Sequence, residues 1–140
     1  MSVEDIIGDF ELIDDWEQRL HYVIELGRDL PALPEDLRCE ANKVQGCASQ
    51  VWLATRVERA TGQPVLVFQG DSDAHIVKGL VAILIKAYSG LPAADIAAAD
   101  PVKLFQDIHL REHLTPQRSN GLNSMIERMK RDARTALADG

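Results

Sequence analysis

Cysteine is scarce in this chain: 140 residues hold two, Cys39 and Cys47. That is too few for a disulfide-stapled scaffold or a four-thiolate metal site, so both read as free thiols of a reducing cytoplasm. Positive charge is in the minority, with 15 Lys and Arg against 22 Asp and Glu and a formal net charge of −7. A nucleic-acid surface needs clustered cations, so this balance argues against such a partner, and also against an anionic membrane. Long apolar runs are missing as well. The longest, residues 79–85, falls far short of the roughly 20 residues that span a bilayer. The opening Met1-Ser2-Val3-Glu4-Asp5 lacks the basic stretch and long apolar run of a signal peptide. No repeat, low-complexity tract or linker interrupts the chain. These absences predict a soluble, cytoplasmic protein.

What is present suffices for a core: 46% of residues are hydrophobic and 26% charged, and the length suits one domain over residues 1–140. Ser2, three residues before Asp5, resembles an N-cap, with Ile6, Ile7, Phe10 and Ile13 following at helical spacing. Asp14 or Asp15 can cap a second helix with Trp16, Leu20, Val23, Ile24 and Gly27 on its apolar face. Leu30-Pro31 ends it, because the residue before a proline is pushed out of the α region. A short helical turn is expected over residues 35–38.

From Val51 the period changes to two, with Val51, Leu53, Thr55 and Val57 on one face and Trp52, Ala54, Arg56 and Glu58 on the other. A turn at Thr61-Gly62-Gln63-Pro64 and a returning strand over 65–70 complete an antiparallel hairpin, with residues 43–46 as its expected third strand. Asp71-Ser72-Asp73 is expected to cap a central helix bearing Ile76, Val77, Leu80, Val81, Leu84 and Ile85, and Ser89-Gly90-Leu91-Pro92 stops it. Two short helices are expected over 93–98 and 101–108, the second capped by Asp100 with Pro101 at its first position. Thr115-Pro116 opens a last helix through Leu122, Met125, Ile126, Met129, Ala133 and Leu137. The expected class is α+β: a small antiparallel sheet of about three strands with helices packed on one side.

The stretch Val44-Gln45-Gly46-Cys47-Ala48-Ser49-Gln50-Val51-Trp52-Leu53 places a glycine directly before a cysteine and a strand directly after it. Gly46 takes positive φ without steric cost, so the chain can turn there and present Cys47 at the tip. A thiolate in that position is a ready nucleophile. Equally, a free cysteine often serves as a small buried hydrophobe, and the local pattern leaves both readings open. Cys39, in the polar run Arg38-Cys39-Glu40, reads as an incidental thiol. His21, His75, His109 and His113 are available to a cysteine–histidine site, but their spacing specifies no triad. His109 and His113, four apart, would share a face of a helix without other metal-ligand spacing beside them. Arg118 lies in Arg118-Ser119-Asn120-Gly121, where Asn120 and Gly121 are expected to interrupt the helix start. It reads either as an exposed turn residue or as a fixed positive charge near an anionic site.

Taken together these segments resemble the SufE family of sulfur acceptors, including its CsdE branch. Three pieces carry the resemblance in order: residues 44–53, then Gly70-Asp71-Ser72-Asp73-Ala74-His75-Ile76-Val77-Lys78-Gly79-Leu80, then His113-Leu114-Thr115-Pro116-Gln117-Arg118-Ser119-Asn120-Gly121-Leu122. Trp16-Glu17, Leu26-Gly27 and Leu30-Pro31 also fit, so the likeness spans nearly the whole chain.

The resemblance implies a persulfide relay. A PLP-dependent cysteine desulfurase of the SufS or CsdA type holds sulfur from L-cysteine, and an acceptor cysteine, here Cys47, takes it and passes it to an Fe–S scaffold of the SufBCD type. The acceptor needs no cofactor or metal of its own, since PLP belongs to the partner. Gln45, Gly46, Ser49, Asp73 and Arg118 match positions that support the acceptor loop or meet the desulfurase. The family also resembles the IscU-type scaffolds in fold, but those use three cysteines as cluster ligands. One well-placed thiol favours carrying sulfur over building clusters. The apolar neighbours Val44, Val51 and Trp52 suggest that Cys47 rests partly buried until a partner docks, with Gly46 as hinge. Two rivals are a non-catalytic regulatory module of the desulfurase and a cysteine–histidine hydrolase.

Overall fold

The structure is a computed structural model that describes residues 3–46, 49–60, 62–110 and 114–139. Helix α1 (Val3–Leu12) buries Ile6 and Phe10, one turn apart; the expected cap Ser2 lies outside the described residues. Helix α2 (Trp16–Arg28) begins where expected, with the Asp15 carboxylate accepting from the Glu17 amide. The phenol of Tyr22 donates to the Asp9 carboxylate and its ring meets Phe10 edge-on at 5.0 Å, which ties α1 to α2. Burial and the Asp9 hydrogen bond push the Tyr22 phenol well above its usual range. Two single turns of 3-10 helix, Glu35–Leu37 and Glu40–Asn42, lead into the sheet.

Strand β1 (Val51–Glu58) pairs antiparallel with β2 (Val65–Ser72), Val51 opposite Ser72 and Glu58 opposite Val65. The inward face carries Val51, Leu53, Leu66 and Phe68, all buried, as the two-residue period predicts. The third strand differs from the expectation. It is β3 (Leu91–Pro92), which pairs with β2 at the Val65–Leu66 end. Residues 43–46 contribute only an isolated bridge, Lys43 to Trp52, because Gly46 turns the chain away with φ +88° after one pairing.

Helix α3 (His75–Tyr88) is the central helix, with Val77 and a continuous run from Gly79 to Leu84 buried. Its contact with α2 is backbone on backbone: a Cβ on Gly79 would stand 2.1 Å from the Val23 carbonyl oxygen, and one on Gly27 would stand 2.8 Å from the Gly79 nitrogen. Glycine at both positions is what lets the helices approach so closely. Asp71-Ser72-Asp73 does not cap this helix. Asp71 and Ser72 belong to β2, the N-cap is Ala74, and no side chain caps it; the three side chains are committed to other partners, described below.

Helices α4 (Ala93–Ala98) and α5 (Pro101–Asp107) follow, the second with the Asp100 carboxylate on the Lys103 amide and Pro101 in the first turn. His109 sits past the end of α5 with φ +60°, off any helix, and His113 lies outside the described residues, so no helical histidine pair is formed. Helix α6 (Pro116–Asp139) is opened by Thr115, whose hydroxyl accepts from the Arg118 amide at 3.3 Å. It runs unbroken through Asn120 and Gly121, contrary to the expected interruption, because Gly121 lies on the buried face of the helix and packs with it against the core. Leu122, Met125, Ile126, Met129, Ala133 and Ala136 face inward, and Leu137 is exposed instead. The Nζ of Lys130 on α6 donates to the carbonyls of Ala97 and Ala99 at 3.1 and 2.5 Å, closing the end of α4. Among the described residues no helix is long and apolar enough to cross a membrane.

Candidate functional site

The stretch around Gly46 is held at a stem and braced on both sides. At the stem the Val44 amide donates to the Val51 carbonyl at 2.8 Å, next to the Lys43–Trp52 bridge. On the N-terminal side, Gln45 and Gly46 form an exposed turn with Gly46 in the left-handed region, as its sequence position predicts. Gly46 also lies against α6, since a Cβ there would come 2.7 Å from Ser124 Oγ. On the C-terminal side, Gln50 and Asp73 hold each other twice. The Asp73 carboxylate accepts from the Gln50 amide at 3.0 Å, and the Asp73 amide donates to the Gln50 carbonyl at 3.2 Å. Cys47 and Ala48, between these anchors in sequence, lie outside the described residues.

Two clefts flank this stretch. Ser49 lines one of about 220 Å³ together with Val77, Thr115, Gln117, Arg118 and Leu122. Two of the sequence-predicted residues, Ser49 and Arg118, are thus brought to one cavity, with Arg118 half-buried in the first turn of α6. Gln45 lines the other, of about 430 Å³, with Lys43, Ser124, Glu127 and three arginines of α6. Asp73 is the residue that reaches the stretch by hydrogen bonds. His21, His75 and His109 are exposed and line neither cleft. Among the described residues, no group of three His, Cys, Asp or Glu could hold a metal ion. Cys39 is exposed.

Sequence reasoning misses one cluster beside the stem. Asp71, buried at 4% exposure, pairs with the Arg38 guanidinium and with Lys78 Nζ at 3.4 Å, and its Oδ1 accepts from the Ser72 amide. The Arg38 guanidinium also lies over the Trp52 ring, 5.0 Å from its centroid. Trp52 and Asp71 are direct cross-strand partners, so Arg38 caps a neighbouring aromatic and carboxylate on the outward face of the sheet. The available signal is the hairpin register itself: once β1 and β2 are paired through their turn, Asp71 stands opposite Trp52 and needs a cation. The Ser72 hydroxyl accepts from the Ala74 amide at 3.2 Å, so it shapes the entry to α3 without capping it.

The profile of the family described as "SufE: Fe-S metabolism associated domain" matches residues 4–133. A SufE-like protein of Rhizobium etli is 53% identical over 137 residues, covering 98% of this chain and 93% of its own length. Another SufE-like protein, of Rhizobium meliloti, is 52% identical over 136 residues and covers 97% of both chains. The solution structure of a hypothetical protein from Thermus thermophilus superposes with a TM-score of 0.76 at 21% identity, covering 99% of each chain, which supports the fold.

Proposed function

The chain belongs to the SufE family, whose domain is associated with Fe–S metabolism, and from that premise we propose that it carries sulfur on Cys47. In this reading a PLP-dependent cysteine desulfurase of the SufS or CsdA type presents a persulfide, and the Cys47 thiolate attacks its outer sulfur. The sulfur–sulfur bond of the donor breaks, a new one forms to Cys47, and the desulfurase cysteine leaves as a thiolate. One sulfur atom moves with no net change in oxidation state, as in disulfide exchange. Clearing the donor stimulates desulfurase turnover, and an Fe–S scaffold of the SufBCD type is the onward acceptor. The chain itself uses neither metal nor cofactor in this relay.

The observation that carries the reading is the bracing of the Gly46–Gln50 stretch. A stem, a left-handed glycine and the Asp73 latch hold the two ends of a short segment with a cysteine inside it. Ser49 and Arg118 face one cleft beside it, where Arg118 offers positive charge to an anionic persulfide or to a partner carboxylate.

Mass spectrometry after mixing the chain with desulfurase and L-cysteine tests this. A gain of one sulfur, about 32 Da, localised to Cys47 and absent in Cys47→Ser is expected. A gain on Cys39 instead would overturn the assignment. Desulfurase stimulation that survives in Cys47→Ser would show a regulatory module that carries no sulfur.

A further inference from the structure

The larger cleft beside the stretch has a charge opposite to that of the chain. Lys43 comes from its stem, and Arg128, Arg131 and Arg134 come from successive turns of α6. Glu127 is the one carboxylate lining the cleft among the described residues. The chain as a whole is acidic, with a net charge of −7, and residues 1–40 alone carry twelve Asp and Glu against three Arg.

The four cations are not equivalent. Arg128 is committed to the fold, donating through Nη2 to the Ala41 carbonyl at 2.8 Å and pairing through Nε with Asp132 at 3.4 Å. Arg131 reaches the same Asp132 at a loose 3.8 Å, with 63% of its side chain exposed. Lys43 and Arg134 make no side-chain hydrogen bond or ion pair among the described residues, although both line the cleft. Three long cationic side chains are therefore available for an outside ligand, and Arg128 ties α6, which carries two of them, to Ala41. From Ser124 to Arg134 the α6 face runs about 15 Å at the usual rise per residue. That is longer than a single carboxylate or phosphate can cover.

We propose that this cationic stripe docks an acidic segment of the desulfurase, positioning it over the Gly46–Gln50 stretch. The inference rests on the sulfur-carrier reading and adds to it the surface that holds the donor. Its support is continuity and charge. The stripe starts at the stem, through Lys43 and Gln45, and Ser124 stands where a Cβ on Gly46 would meet it, so a protein that reaches this stretch from that side covers the stripe as well. A chain of net negative charge repels an acidic partner at long range, and a local cationic strip sets the one orientation in which approach is favourable.

The test compares the wild-type chain, Arg131→Glu/Arg134→Glu, and a control, Lys86→Glu/Lys103→Glu, that makes the same net-charge change on exposed residues outside the cleft. Desulfurase turnover is titrated with each at 50 and 300 mM NaCl, with dissociation constants from calorimetry and folding checked by circular dichroism. The stripe variant is expected to raise the half-saturating concentration and Kd about tenfold at low salt, to lose most of their salt dependence, and to retain stimulation at saturation. The control is expected to stay within twofold of wild type. Equal Kd values for wild type and stripe variant would overturn the docking assignment and leave sulfur transfer standing, as would equal weakening by the control. A wild-type chain that neither binds nor stimulates the desulfurase would overturn both readings together.

Discussion

Asp73 and Gln50 form a reciprocal pair: the carboxylate of one takes the amide of the other at 3.0 Å, and the amide of the first meets the carbonyl of the second at 3.2 Å. The pair closes the end of the candidate stretch onto the connection between β2 and α3. The central helix, the sheet and the stretch thereby share one anchor. Asp73 is exposed, so its placement comes from these hydrogen bonds and not from burial.

Asp73→Ala removes the side-chain half of the latch and leaves the backbone half. The expected loss of stability is about 0.5–1 kcal/mol, that of one partly solvated hydrogen bond. The larger effect is local. Hydrogen exchange at the Gln50 amide is expected to accelerate several-fold, while exchange in α3 is unchanged. Asp73→Asn keeps an acceptor oxygen and is expected to retain most of the protection. Unchanged Gln50 exchange in the alanine variant would show that the carboxylate does not hold the stretch.

Gly46→Ala is expected to cost about 1–2 kcal/mol, because its φ of +88° suits glycine and strains any residue with a Cβ. The added methyl also meets Ser124 Oγ at 2.7 Å, but a hydroxyl can rotate away. Strain and contact separate in the double variant: Ser124→Ala is expected to restore less than half of the loss in urea denaturation. Full restoration would make the α6 contact, and not the backbone, the reason for glycine.

Much of this architecture is legible along the chain. Asp15, Asp100 and Thr115 announce three helices because an N-cap acts within a few residues. The two-residue alternation from Val51 reports the hairpin, and Gly46 before Cys47 reports the turn. The rest depends on partners distant in sequence. Asp71 has the look of a cap, yet its nearest cation is Arg38, 33 residues earlier. Leu91–Pro92 is too short to show any period, so its pairing with β2 is visible only in three dimensions. Gly121 resembles a helix breaker until packing shows α6 buried on that side. The cationic cleft escapes for the same reason, as Lys43 joins the α6 arginines only once the chain has folded.

The Arg38–Asp71–Lys78 cluster yields an ordering of variants. The Asp71 side chain is 6% exposed, whereas those of Arg38 and Lys78 reach solvent at 28% and 30%. Arg38→Ala leaves that carboxylate with Lys78 as its counter-ion beside the Ser72 amide and uncovers Trp52, for an expected loss of about 2–3 kcal/mol. Lys78→Ala leaves the Arg38 pair in place and is expected to cost about 1 kcal/mol or less. Arg38→Lys keeps the charge without the planar guanidinium that lies over the indole, and is expected to fall between them. Chemical denaturation of the three variants checks the order; a costlier Lys78→Ala would place the main counter-ion of Asp71 on α3.

Tyr22 gives the fold a dependence on alkaline pH. Burial, and then its hydrogen bond to Asp9, raise the folded phenol above its ordinary value, and burial with nearby Asp100 does the same for Tyr88. The unfolded chain then releases its tyrosine protons first, from about pH 10 upward, and binds fewer protons than the native state. Stability is therefore full below that pH and falls as the pH rises beyond it. Tyr22→Phe keeps the edge contact with Phe10 but loses the Asp9 bond, at an expected cost of about 1 kcal/mol at pH 8. Above pH 10 the difference between wild type and variant should shrink, because only wild type carries the penalty of a retained Tyr22 proton. Urea denaturation from pH 8 to 11 measures it, and a constant or widening gap would mean that Asp9 does not hold the phenol in its protonated form.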